Sequence, residues 1–278
     1  MTTNIFGAGF VLGKYAEMFP ANVVPRNEII APVADQILYG ISTIHNYHPK
    51  EGNPFIDIET NLLHFMRVLD ANINQDTVFN LVSSWFVYGS NPQIPSKETS
   101  PCNPNGFYSI TALAREQLLR SYCQTFGLKF RILRLGNVIG IGDKKASPKK
   151  NALQWMISEL AKGNQVKVYK GGQVRDYIDV RDACRAINLV LEKGELNEVY
   201  NISNGQGLNI RELLEVAWRE NGYVGSIGEQ EVPEFHKTVQ TSAIYLDNTK
   251  IKKLGYVQQH DIKNTIKELV RYYQYNEI

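Results

Sequence analysis

The stretch "NIFGAGFVLGKYAEMF", Asn4 to Phe19, decides how the rest of the chain is read. "NIFG" (4–7) is a short apolar run ending in glycine, and "KYAEMF" (14–19) reads as a short helix that Pro20 stops. A glycine turn between a strand and a helix is the opening of a strand–helix–strand unit. The same rhythm continues downstream. "NVV" (22–24) and "QILYGIS" (36–42) read as strands. "DIETNLLHFMRVLDAN" (57–72) carries Ile58, Leu62, Phe65 and Leu69 at spacings of three and four, one face of a helix. "TVFNLVSS" (77–84) is a strand, residues 107–127 a long helix with Gly127 as its stop, and "KFRILRL" (129–135) a further strand. Alternation of this kind requires parallel strands joined by crossovers, so the expected fold is α/β, a doubly wound parallel sheet.

The glycine turn also carries a chemical expectation. Glycines let the backbone turn tightly and approach a pyrophosphate, whose charge sits at the helix N-terminus. Gly7 and Gly9 fit the first two positions of the GxGxxG fingerprint, while the third falls on Leu12. A leucine there is expected to push the helix away from the sheet or to shift the register by one residue, and to weaken cofactor binding. The candidate cofactor contacts are Gly7, Gly9, Phe10, Val11, Arg26, Ser42 and Thr43. At the end of the second strand an arginine suits the 2′-phosphate of NADP and a carboxylate the ribose of NAD. Arg26 is better placed than Glu28, which favours NADP and leaves NAD open. Only nine residues separate Arg26 from Gln36. An extended segment of that length spans roughly 30 Å and has no room for a helix. The sheet is therefore expected to be Rossmann-like with one strand fewer on the adenine side.

Composition sets the outer bounds. The chain has 278 residues, 43% hydrophobic and 21% charged, with a net charge of +2. That is ordinary for a globular protein and gives no case for nucleic acid. Lysines cluster in "DKKASPKK" (143–150), either a solvated loop or a local anion site. Cys102, Cys123 and Cys184 are far apart and have no metal spacing, which points to a reducing, cytoplasmic location. The first residues lack a secretory pattern, and no run of 18 apolar residues suggests a membrane span.

Further motifs give a resemblance. "VSSWFVYG" (82–89), "GFYSITALAREQ" (106–117), "LRLGNVIG" (133–140), "RDYIDVRDACRA" (175–186) and "YNISNGQGLNIREL" (200–213) together resemble the extended short-chain dehydrogenase/reductases, specifically the nucleotide-sugar epimerase/dehydratase family. The resemblance spans nearly the whole chain. It implies NAD(P)-dependent hydride transfer on a nucleotide-diphosphate sugar. Tyr108 would be the general acid/base, with Ser84 hydrogen-bonded to the same sugar oxygen. The family lysine that holds the nicotinamide ribose, and whose charge favours the phenolate, is replaced by Ala112. Arg115 lies on the same side one turn further on, with doubtful reach to the ribose. The chain is thus an inactivated version, a divergent enzyme with slowed chemistry, or a non-catalytic dinucleotide-binding sensor or partner protein.

The resemblance further implies that Asn137, Asn151 and Arg175 bind the nucleotide sugar, with Lys149 and Lys150 adding charge nearby. Arg175 paired with Asp182, and Asn137 as a turn-stabilising residue, are the structural alternatives. Family dehydratases carry an acidic pair where Trp85 and Phe86 stand, which leaves epimerase and 4-keto reductase as the candidate activities. His45, Tyr47 and His236 are weaker candidates for the sugar pocket, and His64 is expected to be packed. A smaller C-terminal substrate lobe is expected from 146–177 and 204–278, around a dinucleotide-binding part of 1–145 rejoined by about 178–203. A homodimer is implied through the helices at 57–72 and 107–127, with Leu118, Leu119 and Tyr122 filling the seam.

Overall fold

Strand β1 (Thr3–Phe6) is buried along its whole length, and Gly9 caps the helix that follows it, α1 (Phe10–Met18). The helix starts four residues before the expected boundary because the turn ends at Gly9, not at Gly13. The computed structural model describes residues 2–43, 55–89, 92–144, 146–148, 150–239 and 241–276. Next come β2 (Asn22–Val24), β3 (Gln36–Tyr39), α2 (Ile56–Ile58), a π-helical stretch (Glu59–His64) and α3 (Phe65–Asn72). β4 (Val78–Ser84), a 3₁₀ turn (Trp85–Tyr88), α4 (Phe107–Phe126), β5 (Lys129–Leu135) and β6 (Asn137–Ile139) follow. Then come α5 (Ala152–Ala161), β7 (Gln165–Tyr169), β8 (Val174–Arg175), β9 (Tyr177–Asp179), α6 (Val180–Lys193) and β10 (Glu198–Ile202). The chain continues with β11 (Leu208–Asn209), α7 (Ile210–Glu220), β12 (Ser226–Gln230), α8 (Glu234–Val239), α9 (Thr249–Lys253) and α10 (Ile262–Tyr275).

The main sheet has six strands in the order β2-β1-β3-β4-β5-β10, all parallel. β2 is its edge, so the adenine side carries the reduced strand count expected from the short segment before Gln36. That segment returns without a helix because side chains satisfy its backbone. Asn72 accepts from Ala31 N at 2.8 Å and donates to Ile29 O at 2.6 Å, and Asn4 donates to Pro32 O at 2.6 Å. Interior parallel strands are covered on both faces. Here α1 and α6 cover one face through Leu12, Tyr15, Ala183 and Ile187. α3 and α4 cover the other through Phe65, Leu69 and Leu119. A third cluster joins α5, α7 and α10 around Ile157, Leu214 and Ile266.

Leu12 does not displace the helix. Its side chain is buried, and a Cβ on Gly40 would lie 2.5 Å from its Cδ1. The close approach expected of a third glycine is made by a glycine just past β3. At the far end of α4, Gly127 adopts φ 65°, the left-handed stop read from the sequence. β7 and β12 pair in a separate two-stranded parallel sheet that the sequence reading did not anticipate.

Candidate active site

Two element ends place the expected acid/base pair. β4 ends at Ser84, whose Oγ accepts from Phe86 N at 3.4 Å and caps the 3₁₀ turn. α4 begins beyond Gly106, where Ser109 Oγ accepts from Gly106 N at 3.1 Å and donates to Gly106 O at 2.8 Å. Tyr108 is therefore fixed in the first turn. Phe86 stands edge-on to the Tyr108 ring at 5.7 Å and stacks with Trp85 at 3.9 Å. Serine and tyrosine border the same aromatic corner, each partly exposed. Below them, Glu116 accepts from Ser83 Oγ at 2.5 Å and pairs with Arg134 at 2.7 Å. This buried pair ties α4 to β4 and β5 and holds the tyrosine's helix in register with the serine's strand.

Ala112 is 1% exposed, packed with Trp85, Val87, Tyr88, Ile244 and Leu246. Arg115 is equally buried. Its Nη1 donates to Ile41 O at 2.7 Å and its Nη2 to Val82 O at 3.2 Å. Its guanidinium lies 5.9 Å from the centre of the Tyr39 ring.

A cavity of about 470 Å³ opens beside the aromatic corner and is lined by Trp85, Phe86, Asn137, Asn151 and Arg175 among others. All three residues expected to touch a nucleotide sugar thus share one concavity. Each is also held by the protein. Asn137 Nδ2 donates to Asp176 O at 3.0 Å, and its Oδ1 accepts from Trp85 Nε1 at 3.2 Å. Asn151, at φ 56°, donates to Val138 O at 3.1 Å and to Asp143 at 3.2 Å. Arg175 donates to the carbonyls of Val174, Ser242 and Thr241 and stacks over Trp85 at 5.6 Å. Asp182 is not its partner, since that carboxylate takes Arg185 and His260 N. Asp176 accepts from the N–H groups of Asn204, Gly205 and Leu246, but burial outweighs them and pushes its carboxyl up to about 6.

The cavity also takes in residues that the sequence reading passed over, including Trp155, Lys167, Tyr169 and Glu229. The alternation of "QVKVY" (165–169) carried a signal, because Val166 and Val168 are buried while Lys167 is exposed. His236 lines the same space, its Nδ1 2.6 Å from Tyr169 Oη. Lys150 is there too, paired with Asp143 at 2.8 Å. His45, Tyr47, His48 and Lys149 lie outside the described residues. Among the described residues no cluster has the makings of a metal site.

At the glycine turn, Gly7 sits at φ 88°, and a Cβ on it would meet Ile41 N at 2.7 Å. A Cβ on Gly9 would meet only Gly7 O, at 4.0 Å. No side chain beyond its chain neighbours comes within 4 Å of that point, and the first N–H groups of the helix, at Phe10 and Val11, have no partner within it. The residues present fit the pyrophosphate of a dinucleotide. Arg26 is exposed in the turn after β2. Burial, with the cations of Arg67 and Arg26 adding to it, holds the His64 imidazole below its ordinary value. His64 is packed as expected, its Nδ1 3.1 Å from Tyr39 Oη. Ser42 Oγ donates to Thr43 O at 3.4 Å. The Thr43 hydroxyl is turned into α2 and the π-helical stretch, where Asp57 and Asn61 engage it.

A family model described as the NAD dependent epimerase/dehydratase family matches residues 27–203. The matched span holds Ser84, Tyr108, Asn137, Asn151 and Arg175 and begins beyond the glycine turn. The low-salt glycan biosynthesis protein Agl12 of Haloferax volcanii is 32% identical over 222 residues, covering 79% of this chain and 69% of that protein. A crystal structure of UDP-glucose 4-epimerase with UDP-glucose from Thermotoga maritima superposes with a TM-score of 0.83 at 22% identity, covering 99% of both chains. A structure of RMD from Pseudomonas aeruginosa complexed with NADPH gives 0.82 at 21% identity, covering 98% of both. At these identities the two structures speak for the fold.

Proposed function

This chain belongs to the NAD dependent epimerase/dehydratase family, and from that premise we propose that it is an NAD(P)-dependent epimerase or 4-keto reductase of a nucleotide-diphosphate sugar. One observation carries the reading. The aromatic corner between Ser84 and Tyr108 opens into the cavity that Asn137, Asn151 and Arg175 line. Bound NADP or NAD supplies the hydride donor or acceptor, with Arg26 supporting NADP. Tyr108 moves the proton of a sugar hydroxyl, and Ser84 donates a hydrogen bond to the same oxygen. Arg175, Asn137 and Asn151 hold the diphosphate end. Trp85 and Phe86 bring no carboxylate to the reacting sugar, which supports epimerisation or keto reduction over dehydration. Ala112 removes a contact to the nicotinamide ribose, so slow turnover is expected.

A homodimer through α4 and the 56–72 helical stretch goes with this reading. Leu119 is wholly buried in the protein's own core, so the seam is not formed by that residue as expected from the sequence. Phe107, Ile110 and Leu118 of α4 and Leu63 of the π-helical stretch are the exposed apolar side chains that support it. Tyr122 is bonded within the chain, to Asp70 at 2.6 Å.

The test is direct. NADPH with nucleotide 4-keto-sugars, and NAD with nucleotide sugars, are followed by the nicotinamide absorbance band and by sugar NMR. Turnover is expected, falling about 10²–10⁴-fold in Tyr108→Phe. A cofactor that stays bound through the cycle identifies the epimerase, and consumed NADPH the reductase. A second reading, a non-catalytic dinucleotide-binding sensor or partner protein, is favoured by Ala112. It is the outcome if dinucleotide binds without sugar affinity and without hydride transfer.

A further inference from the structure

A row of rings joins the two ends of the candidate site. The Phe86 ring stands 5.7 Å from the Tyr108 ring, Trp85 stacks on Phe86 at 3.9 Å, and the Arg175 guanidinium lies 5.6 Å from the centre of a Trp85 ring. Trp85, Phe86 and Arg175 all line the cavity. In the reading above, Arg175 holds the diphosphate and Tyr108 serves the reacting sugar oxygen. The sugar is the part of the ligand between those two points, so it lies along Phe86 and Trp85.

This wall is fixed in place. In the 3₁₀ turn after Ser84, Val87 and Tyr88 are buried, and the Tyr88 hydroxyl donates to Asn201 Oδ1 at 2.7 Å. The indole is held from its other side, where Trp85 Nε1 donates to Asn137 Oδ1 at 3.2 Å. The stacked and edge-on contacts are the arrangements that aromatic rings favour. The polar groups of the wall are committed as well. The indole N–H goes to Asn137, and the Asn137 amide donates to Asp176 O at 3.0 Å. The hydroxyls of Ser84 and Tyr108 serve the reacting oxygen. A hydroxyl carried by a neighbouring sugar carbon would therefore meet ring carbons, losing water without gaining a partner. A methyl group in that place leaves water for apolar contact.

We propose that Phe86 and Trp85 are the specificity-determining wall of the sugar pocket, and that the nucleotide sugar they select is a 6-deoxy hexose, its methyl group packed on the Phe86 ring. For reaction at C4 the flanking ring carbons are C3 and C5. The exocyclic carbon on C5 projects furthest from the ring, so C6 is the group that the wall reads. The proposal rests on the nucleotide-sugar reading and deepens it.

The experiment compares sugars that differ only at C6. The full chain is titrated calorimetrically with UDP-glucose and UDP-6-deoxyglucose, with the corresponding dTDP pair, and with GDP-mannose and GDP-6-deoxymannose. For the base that the protein accepts, the 6-deoxy member should bind about 10–100-fold more tightly. In Phe86→Ser that ratio should fall below about threefold, while Phe86→Leu, which keeps an apolar side chain, should retain most of it. Equal affinities in the wild type, tighter binding of the hydroxymethyl sugar, a ratio that survives Phe86→Ser, or equal effects of serine and leucine each overturn the proposal. A wild-type measurement stands independently of how the variants fold. Phe86 is the phenylalanine of the cavity lining among the described residues. The methyl signal of the bound 6-deoxy sugar should give a nuclear Overhauser effect to phenylalanine ring protons, and this should vanish in protein made with ring-deuterated phenylalanine. Its absence also overturns the proposal. Free UDP, dTDP and GDP separate the two levels of failure. If a diphosphate binds and its sugar pair does not differ, the 6-deoxy selection alone fails; if no diphosphate and no sugar binds, the nucleotide-sugar reading fails and takes the proposal with it.

Discussion

A Cβ on Gly40 would meet Leu12 Cδ1 at 2.5 Å and Cγ at 3.2 Å, although the two residues lie 28 positions apart. The helix after the glycine turn can carry a leucine at its third position because β3, the strand beside β1, is followed by a glycine. Gly40→Ala is therefore expected to destabilise the protein by about 1–3 kcal/mol through overpacking. In a Leu12→Ala background the same change should cost less than about 0.5 kcal/mol, because the clashing methyl is gone. Urea unfolding of the four species in the cycle reads this coupling, and equal costs in both backgrounds would refute the contact. The glycines at 7 and 9 were legible from their place between a strand and a helix. Gly40 was not, because its reason lies in a side chain that only the folded sheet brings beside it. The same holds for the burial of Arg115, whose guanidinium is held by carbonyls just past β3 and in β4.

At the scale of one element, α6 shows how a cap is coupled to pH. Asp179 ends β9 and caps the helix, accepting from Arg181 N at 2.8 Å, from Arg181 Nε at 2.9 Å and from Thr265 Oγ1 of α10 at 2.7 Å. Burial raises its carboxyl, but the hydrogen bonds from Arg181 and Thr265 outweigh it and hold the group below its ordinary value. A carboxyl depressed in the folded state contributes stability above its unfolded value of about 3.9, and that contribution is lost as pH falls through the folded value. Asp179→Asn should thus lower stability by about 1–3 kcal/mol at neutral pH. The gap from wild type in urea midpoints should stay constant down to about pH 5 and close below pH 4. A gap that widens in acid would contradict the assignment. Long elements such as α4 and β5 were legible because their periodicity runs over many residues. β6, β8, β9 and β11 have two or three residues each, too few to show a period. β12, "SIGEQ", has neither apolar alternation nor β-branched enrichment, and it pairs as a strand only because β7 lies beside it. The π-helical stretch is set by Asn61, whose amide bridges Thr43 and Thr111 across two other elements.

The whole molecule joins a six-stranded sheet, legible in outline, to a cavity whose walls run from Trp85 to His236. The motifs pointed to the inner wall, while the outer wall comes from β7, β12 and α8, which no motif marks. On the opposite side of the sheet from α1 and α6, α4 packs Leu119 and Cys123 inward and leaves Phe107, Ile110 and Leu118 exposed by 56, 49 and 38%. Leu63, on the neighbouring π-helical stretch, is 52% exposed, and Ile58 at the end of α2 is 42% exposed. Both stretches thus offer apolar side chains to solvent, and apolar surface that gathers into one patch marks an interaction site. The Tyr122 hydroxyl is satisfied internally, since it donates to Asp70. A second copy docking α4 and the 56–72 stretch against their equivalents would cover these side chains with like surface, as a two-fold interface requires. Sedimentation velocity should therefore find a dimer at micromolar concentration. Ile110→Asp combined with Leu118→Asp should convert it to a monomer that keeps the wild-type far-UV CD spectrum and unfolds cooperatively at a lower urea midpoint, the loss matching the association free energy, because both positions are solvent-exposed in the single chain. A wild-type protein that sediments as a monomer, or a double variant that remains dimeric, would remove the two-fold contact from this face.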